Sequence, residues 1–135
     1  MDQEEAENME STMEGTWDVT VISRNCQTGR PIRTSRSMST FHRGGTLVET
    51  GDTPLLRSIG QGMWRRLDQR HYMAVLRFFQ YKPDGALAGT QKVTRNLELS
   101  DDGTEFRATA TVDVFDADDS LIDTECATEK ARLLV

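Results

Sequence analysis

The sequence predicts an all-β fold, a closed eight-stranded antiparallel up-and-down β-barrel, and three observations predict it. From Gly15 to the C-terminus about eight strand-length segments of alternating residues follow one another. From the second segment onward they are joined mostly by short turns, so neighbours in sequence pair antiparallel. A sheet of many short strands must also have its edges paired, and closure does this within one small domain. The chain has 135 residues, enough for one domain that buries roughly two-thirds of its unfolded surface.

The first strand is expected over residues 16–24, with Trp17, Val19 and Val21 on one face and Asp18, Thr20 and Ile22 on the other. Residues 25–31 contain Thr28-Gly29 and Pro31 and read as a loop. The second strand, 32–42, is rich in Ser and Thr and ends at Arg43-Gly44-Gly45, whose glycines permit a tight hairpin into the third strand, 46–50. Residues 51–59 form an irregular connection with room for one helical turn. The fourth strand spans 60–67 and the fifth 71–81. Pro83-Asp84-Gly85 then turns the chain into the sixth strand, 88–99. Asp101-Asp102-Gly103 leads to the seventh strand, 105–115, and the acidic turn 116–119 to the eighth, 121–133. The fifth strand is apolar on both faces, so something is expected to cover its outside. Segment 54–59 and the second subunit of a homodimer both suit that role.

Composition and charge narrow the function. The net charge of −6 is concentrated in Asp2, Glu4, Glu5, Glu7, Glu10 and Glu14, and beyond residue 14 sixteen acids balance sixteen bases. Residues 1–14 are therefore expected to be a disordered acidic tail that aids solubility, and residues 15–135 a single barrel domain. A neutral body lacks the clustered basic face that phosphate recognition requires, so nucleic acid is not an expected partner. No apolar run reaches the length of a membrane-spanning helix. Met1 opens no signal peptide, which favours the cytoplasm, whereas a disulfide would favour an extracytoplasmic place.

Gly15-Thr16-Trp17 at the start of the first strand resembles the opening of lipocalin-like barrels of the calycin group. The chain from Gly15 onward is similar to small bacterial lipocalin-like proteins of unassigned function. Phe41-His42-Arg43-Gly44-Gly45-Thr46-Leu47, Gly62-Met63-Trp64 and Leu76-Arg77-Phe78-Phe79 are further segments of that look. The resemblance implies that Trp17 plugs the closed end of the barrel and that a basic residue of the last strand, here Arg132, stacks on its ring.

Cys26 and Cys126 are the only cysteines. In a meander closed by its first and last strands they lie beside each other, so a disulfide across that seam competes with two free thiols. His42 and His71 are too few and too scattered for a metal centre, and no glycine loop precedes a helix to cradle phosphate, so neither metal nor cofactor is expected.

Taking the Trp17 face as inward, the fourth strand offers Trp64 and Arg66. The fifth offers Tyr72, Leu76 and Phe78, or the opposite face with Arg77. The sixth offers Gln91, Val93 and Arg95, and the seventh an apolar face that includes Ala110. A cavity walled by these residues suits a small, mostly apolar ligand oriented by one or two polar groups. The alternative placement puts each arginine outside, paired with an acid across strands. Two other functions remain open. One is an isomerase- or cyclase-type enzyme using Tyr72 or a buried Glu or Arg for acid–base chemistry. The other is a filled barrel that self-associates. Small residues at Gly60, Gly62, Ala74, Ala108 and Ala110 favour a cavity.

Overall fold

A computed structural model describes residues 12–52 and 56–134. It contains eight strands: β1 (Gly15–Arg24), β2 (Pro31–Phe41), β3 (Thr46–Gly51), β4 (Gly60–Arg66), β5 (His71–Tyr81), β6 (Leu87–Leu99), β7 (Glu105–Asp116) and β8 (Leu121–Leu133). Each pairs antiparallel with the next, and β8 returns to pair with β1, giving the closed up-and-down barrel that the alternation predicts. The seam runs from Trp17 opposite Leu133 to Arg24 opposite Cys126. Among the described residues no helix is long and apolar enough to cross a membrane.

Register decides which residues face inward, because a one-residue slip would turn every side chain of a strand to the other face. Trp17 lies opposite Ser39, and Ser39 opposite Glu49. Gly62 lies opposite both Leu47 and Leu76, and Leu76 opposite Val93. All of these share the inner face. Gly62 is required there by close approach, since a Cβ would overlap the Val75 carbonyl and lie 2.6 Å from the Leu76 Cα. The hairpin between β2 and β3 places Gly44 and Gly45 at φ of 99° and 97°, a conformation that side chains resist.

One end of the barrel is solid. Trp17, Phe41, Leu47, Tyr72, Leu97, Leu99 and Phe106 are fully buried there. Trp17 meets Phe106 edge-on with centroids 5.0 Å apart, and Phe41 packs similarly against Phe106 and Trp64. Met13 is also fully buried, and its carbonyl accepts a 3.0 Å hydrogen bond from Trp17 Nε1. Met13, within the expected tail 1–14, thus packs against the plug. The rest of the proposed tail, residues 1–11, lies outside the described residues.

Arg132 does not stack on Trp17. Leu133 is the residue opposite Trp17, so Arg132 has the outward parity. Its side chain is 81% exposed and reaches Glu105 at 4.0 Å. Phe106 and Met13 cover the tryptophan instead.

The outside of β5 is partly open. Met73 and Val75 are half-buried, while Phe79 is 53% exposed and neighbouring Met63 67%. The part of segment 54–59 that is described does not lie over that face. It runs alongside the edge of β5, with Tyr81 N–H donating to the Leu56 carbonyl, Ser58 N–H donating to the Phe79 carbonyl and Arg57 bridged to Gln80. Of the connection 51–59, for which one helical turn is allowed, residues 53–55 lie outside the described residues.

Candidate functional site

The other half of the barrel is hollow. A cavity of about 510 Å³ opens between the early part of β2, the end of β5 and the early part of β8, a volume in the range of small-molecule sites. Strand irregularities at Ser23/Arg24, Gln80/Tyr81 and Val114/Phe115 all occur at this end, where bulges commonly bend strands around a barrel rim.

The cavity lining mixes apolar and polar groups. On the side of β5 to β8 it is walled by Leu76, Phe78, Val93, Ala110, Val112 and Ala127, together with Gln91, Arg95, Glu125 and Glu129. On the side of β2 and β3 it is walled by Ser35, Ser37 and Glu49. Arg57 enters from the connection that follows β3. Its Nη1 and Nη2 donate to the two oxygens of Glu49 at 3.2 and 3.1 Å, its Nε donates to the Ser58 carbonyl, and its guanidinium lies 3.6 Å over the Phe78 ring. Two inward glycines leave room for it. A Cβ on Gly51 would come within 2.9 Å of Nη1, and one on Gly60 within 3.2 Å of Nη2. Gln91 donates to Gln80 at 2.7 Å higher on the wall.

Below these walls lies a buried ion pair. Arg95 donates from Nε and Nη2 to Glu129 Oε1 at 3.0 and 2.7 Å and from Nη1 to Ser39 Oγ at 3.3 Å. The two charged side chains are only 2% and 6% exposed. Arg95 also sits 5.5 and 5.6 Å over the Phe41 and Phe106 rings, so it forms the boundary between the aromatic plug and the hollow half. At the rim, Cys26 is bridged to Cys126, which contributes to the cavity wall and ties the segment after β1 to β8.

Of the candidate lumenal residues, Leu76, Phe78, Gln91, Arg95 and Ala110 line the cavity. Trp64, Arg66 and Tyr72 face inward but belong to the solid end. Trp64 Nε1 donates to the His42 and Thr46 carbonyls. Arg66 donates to the Asp68 and Gln69 carbonyls and lies 5.5 Å from the Tyr72 ring. Burial holds the Tyr72 hydroxyl above the ordinary phenol range. Alternation marks the face of a residue but not its height along the barrel axis, which is why these three were grouped with the others.

Of the two placements open for Arg95, lumenal or paired with an acid on the outer face, the structure shows the inward one, with its acid partner inside as well. Sequence reasoning did not single out Glu49, Arg57 or Glu129. Glu49 between Leu47 and Gly51, and Glu129 between Ala127 and Ala131, are polar residues at inward positions of otherwise apolar or small-residue faces. That signal was available. Arg57 carried none, because it lies in an irregular connection.

No protein-family model, curated protein or solved structure matches this chain.

Proposed function

We propose that this protein is a lipocalin-like barrel that binds a small amphiphilic molecule in its hollow half. The observation that carries the reading is the 510 Å³ cavity, whose lining combines the apolar Leu76, Phe78, Val93 and Val112 with serines and the paired charges Arg57–Glu49 and Arg95–Glu129. Gly15-Thr16-Trp17 in the plugged end adds the resemblance to the calycin group. A wholly apolar ligand would desolvate Ser35, Ser37 and the rim of the Arg57–Glu49 pair without offering them hydrogen bonds, so an amphiphile fits better.

An acid–base enzyme in the same space is less well supported. Tyr72 lies in the plug, and both Glu49 and Glu129 are held by guanidinium groups. Self-association through Met63 and Phe79 is the second reading, favoured by their exposure.

The test is an amide NMR titration with a panel of amphiphiles, accompanied by light scattering. Saturable shifts at Leu76, Phe78, Val93 and Val112 support the lumen as the site. Shifts confined to Met63, Phe79 and their neighbours, with mass rising with concentration, would replace it with the surface reading.

A further inference from the structure

In the Arg95–Glu129 pair one carboxylate oxygen is left facing the cavity. Both guanidinium bonds to Glu129 land on Oε1, so among the described residues Oε2 accepts no hydrogen bond. No buried side-chain nitrogen or oxygen among the described residues lacks a partner. Oε2 is therefore in contact with open space, and the space that Glu129 lines is the cavity. A carboxylate oxygen is an acceptor only, so what completes it is a donor.

The charge balance narrows the donor. At the floor of the cavity the pair supplies one charge of each sign, Arg95 and Glu129, already matched to each other. A carboxylate brought to the floor would face Glu129 at close range, and an ammonium would face Arg95. Each would add a buried charge with no counter-charge of its own. A hydroxyl adds none. It donates to Oε2, and Arg95, which uses three of its five N–H groups here, has donors to spare for the hydroxyl oxygen.

We propose that the Arg95–Glu129 pair is a head-group site for a neutral alcohol or phenol, which enters the barrel hydroxyl-first and lays its apolar body against Phe78, Val93 and Val112. This assignment rests on the lumen being the binding site and adds the ligand class and its orientation.

Four matched probes test it at neutral pH: naphthalene-methanol, its methyl ether, naphthoate and the naphthylmethylammonium ion, each followed by calorimetry and amide NMR. The alcohol is expected to bind about tenfold or more tighter than the other three, the scale of one hydrogen bond to a charged group. Glu129→Gln leaves the Arg95 charge uncompensated, and naphthoate should then overtake the alcohol. Should that variant fail to fold, the apolar pair Arg95→Met with Glu129→Leu retains the volume, and there the alcohol should lose its advantage over the ether. Lumenal shifts with naphthoate, ammonium or ether as tight as the alcohol in the unaltered protein would overturn the head-group site while leaving lumenal binding intact. No lumenal shift with any probe would overturn both.

Discussion

Arg95 reaches Glu129 across a strand that separates them, closing to 2.7 Å over β7. In the ladder Arg95 lies opposite Ala110 of β7, and Ala110 opposite Ala127 of β8, two residues before Glu129. The meeting is possible because β7 presents only the methyl groups of Ala108 and Ala110 beneath it. Larger side chains there would occupy the space that the guanidinium crosses. The pair thus depends on small residues of a third strand, and it marks the level at which the solid half of the barrel ends.

A buried pair is sensitive to the loss of one member. Arg95→Met should destabilise the protein by about 3–5 kcal/mol, because it strands the Glu129 carboxylate. The double variant Arg95→Met, Glu129→Leu should be no less stable than the starting protein, and by analogy with other buried pairs up to about 1–4 kcal/mol more so. Urea unfolding of the three proteins measures this. A single variant as stable as the double would mean that the charges are solvated by the cavity.

The Cys26–Cys126 bridge joins residues 100 positions apart. Closing a loop of that length restricts the unfolded chain by about 4–5 kcal/mol in the chain-entropy description. Cys26→Ser with Cys126→Ser should lower stability toward that amount, and the non-reduced protein should be lighter than the reduced one by two hydrogens on mass spectrometry. Two alkylatable thiols in oxidising buffer would remove the bridge from the account.

Gly62 lies where β4 and β5 come closest. Gly62→Ala should cost at least the about 1–3 kcal/mol of an overpacked core, because the new methyl meets backbone that cannot rotate away. A thermal shift within error of the starting protein would show that the two strands relax apart freely.

Met13 is fully buried in the same core cluster as Trp17. Met13→Ala should cost about 2–5 kcal/mol, as for other buried methionines, and shift tryptophan emission to the red as water reaches the indole. The backbone carbonyl that accepts from Trp17 Nε1 survives the change, so the loss reports packing alone. Unchanged emission and stability would show that the Met13 side chain adds nothing to the plug.

The pH dependence has opposite signs at its two ends. Asp68 is held below the ordinary carboxylate range by the Arg70 backbone N–H and then by the His71 side chain. Asp102 is held low by the hydroxyls of Thr104 and Ser100. Depressed carboxylates stabilise the fold above their unfolded pKa, and that contribution disappears as the pH falls through the folded value. Tyr72 is the reverse. Burial raises it, so its contribution is complete below the ordinary phenol value and is lost as the pH rises through the raised one. Carboxyl-carbon NMR should find both aspartates titrating below the ordinary carboxylate range. Alkaline absorbance titration in a Tyr81→Phe background should find Tyr72 ionising late. Ordinary values for all three would contradict the hydrogen bonding and burial described here.

Much of the architecture was legible from short-range patterns. Alternation in Trp17-Asp18-Val19-Thr20-Val21 and in Phe106 to Val112 set the inner faces, and Gly44-Gly45, Pro83-Asp84-Gly85 and Asp101-Asp102-Gly103 set the hairpins between them. The site was less legible. Leu76, Phe78, Gln91, Arg95 and Ala110 could be read as lumenal, but Trp64, Arg66 and Tyr72 looked identical to them because a two-residue period carries no information about depth. Arg132 was misplaced for a similar reason. A resemblance located it on the last strand but not in the register opposite Trp17, and Leu133 holds that register.

Strand order and antiparallel pairing followed from the chain's own local chemistry, since each turn and each alternation involves residues a few positions apart, and closure followed from the need to pair the two edges of the sheet. Folding in three dimensions decided which half is packed and which is hollow. It also brought Arg57 onto Phe78 and Glu49, and Arg95 onto Glu129. Those contacts depend on the stagger of neighbouring strands around a closed ring and on alanines and glycines that leave space between distant partners. Stagger is set only when the last strand pairs with the first.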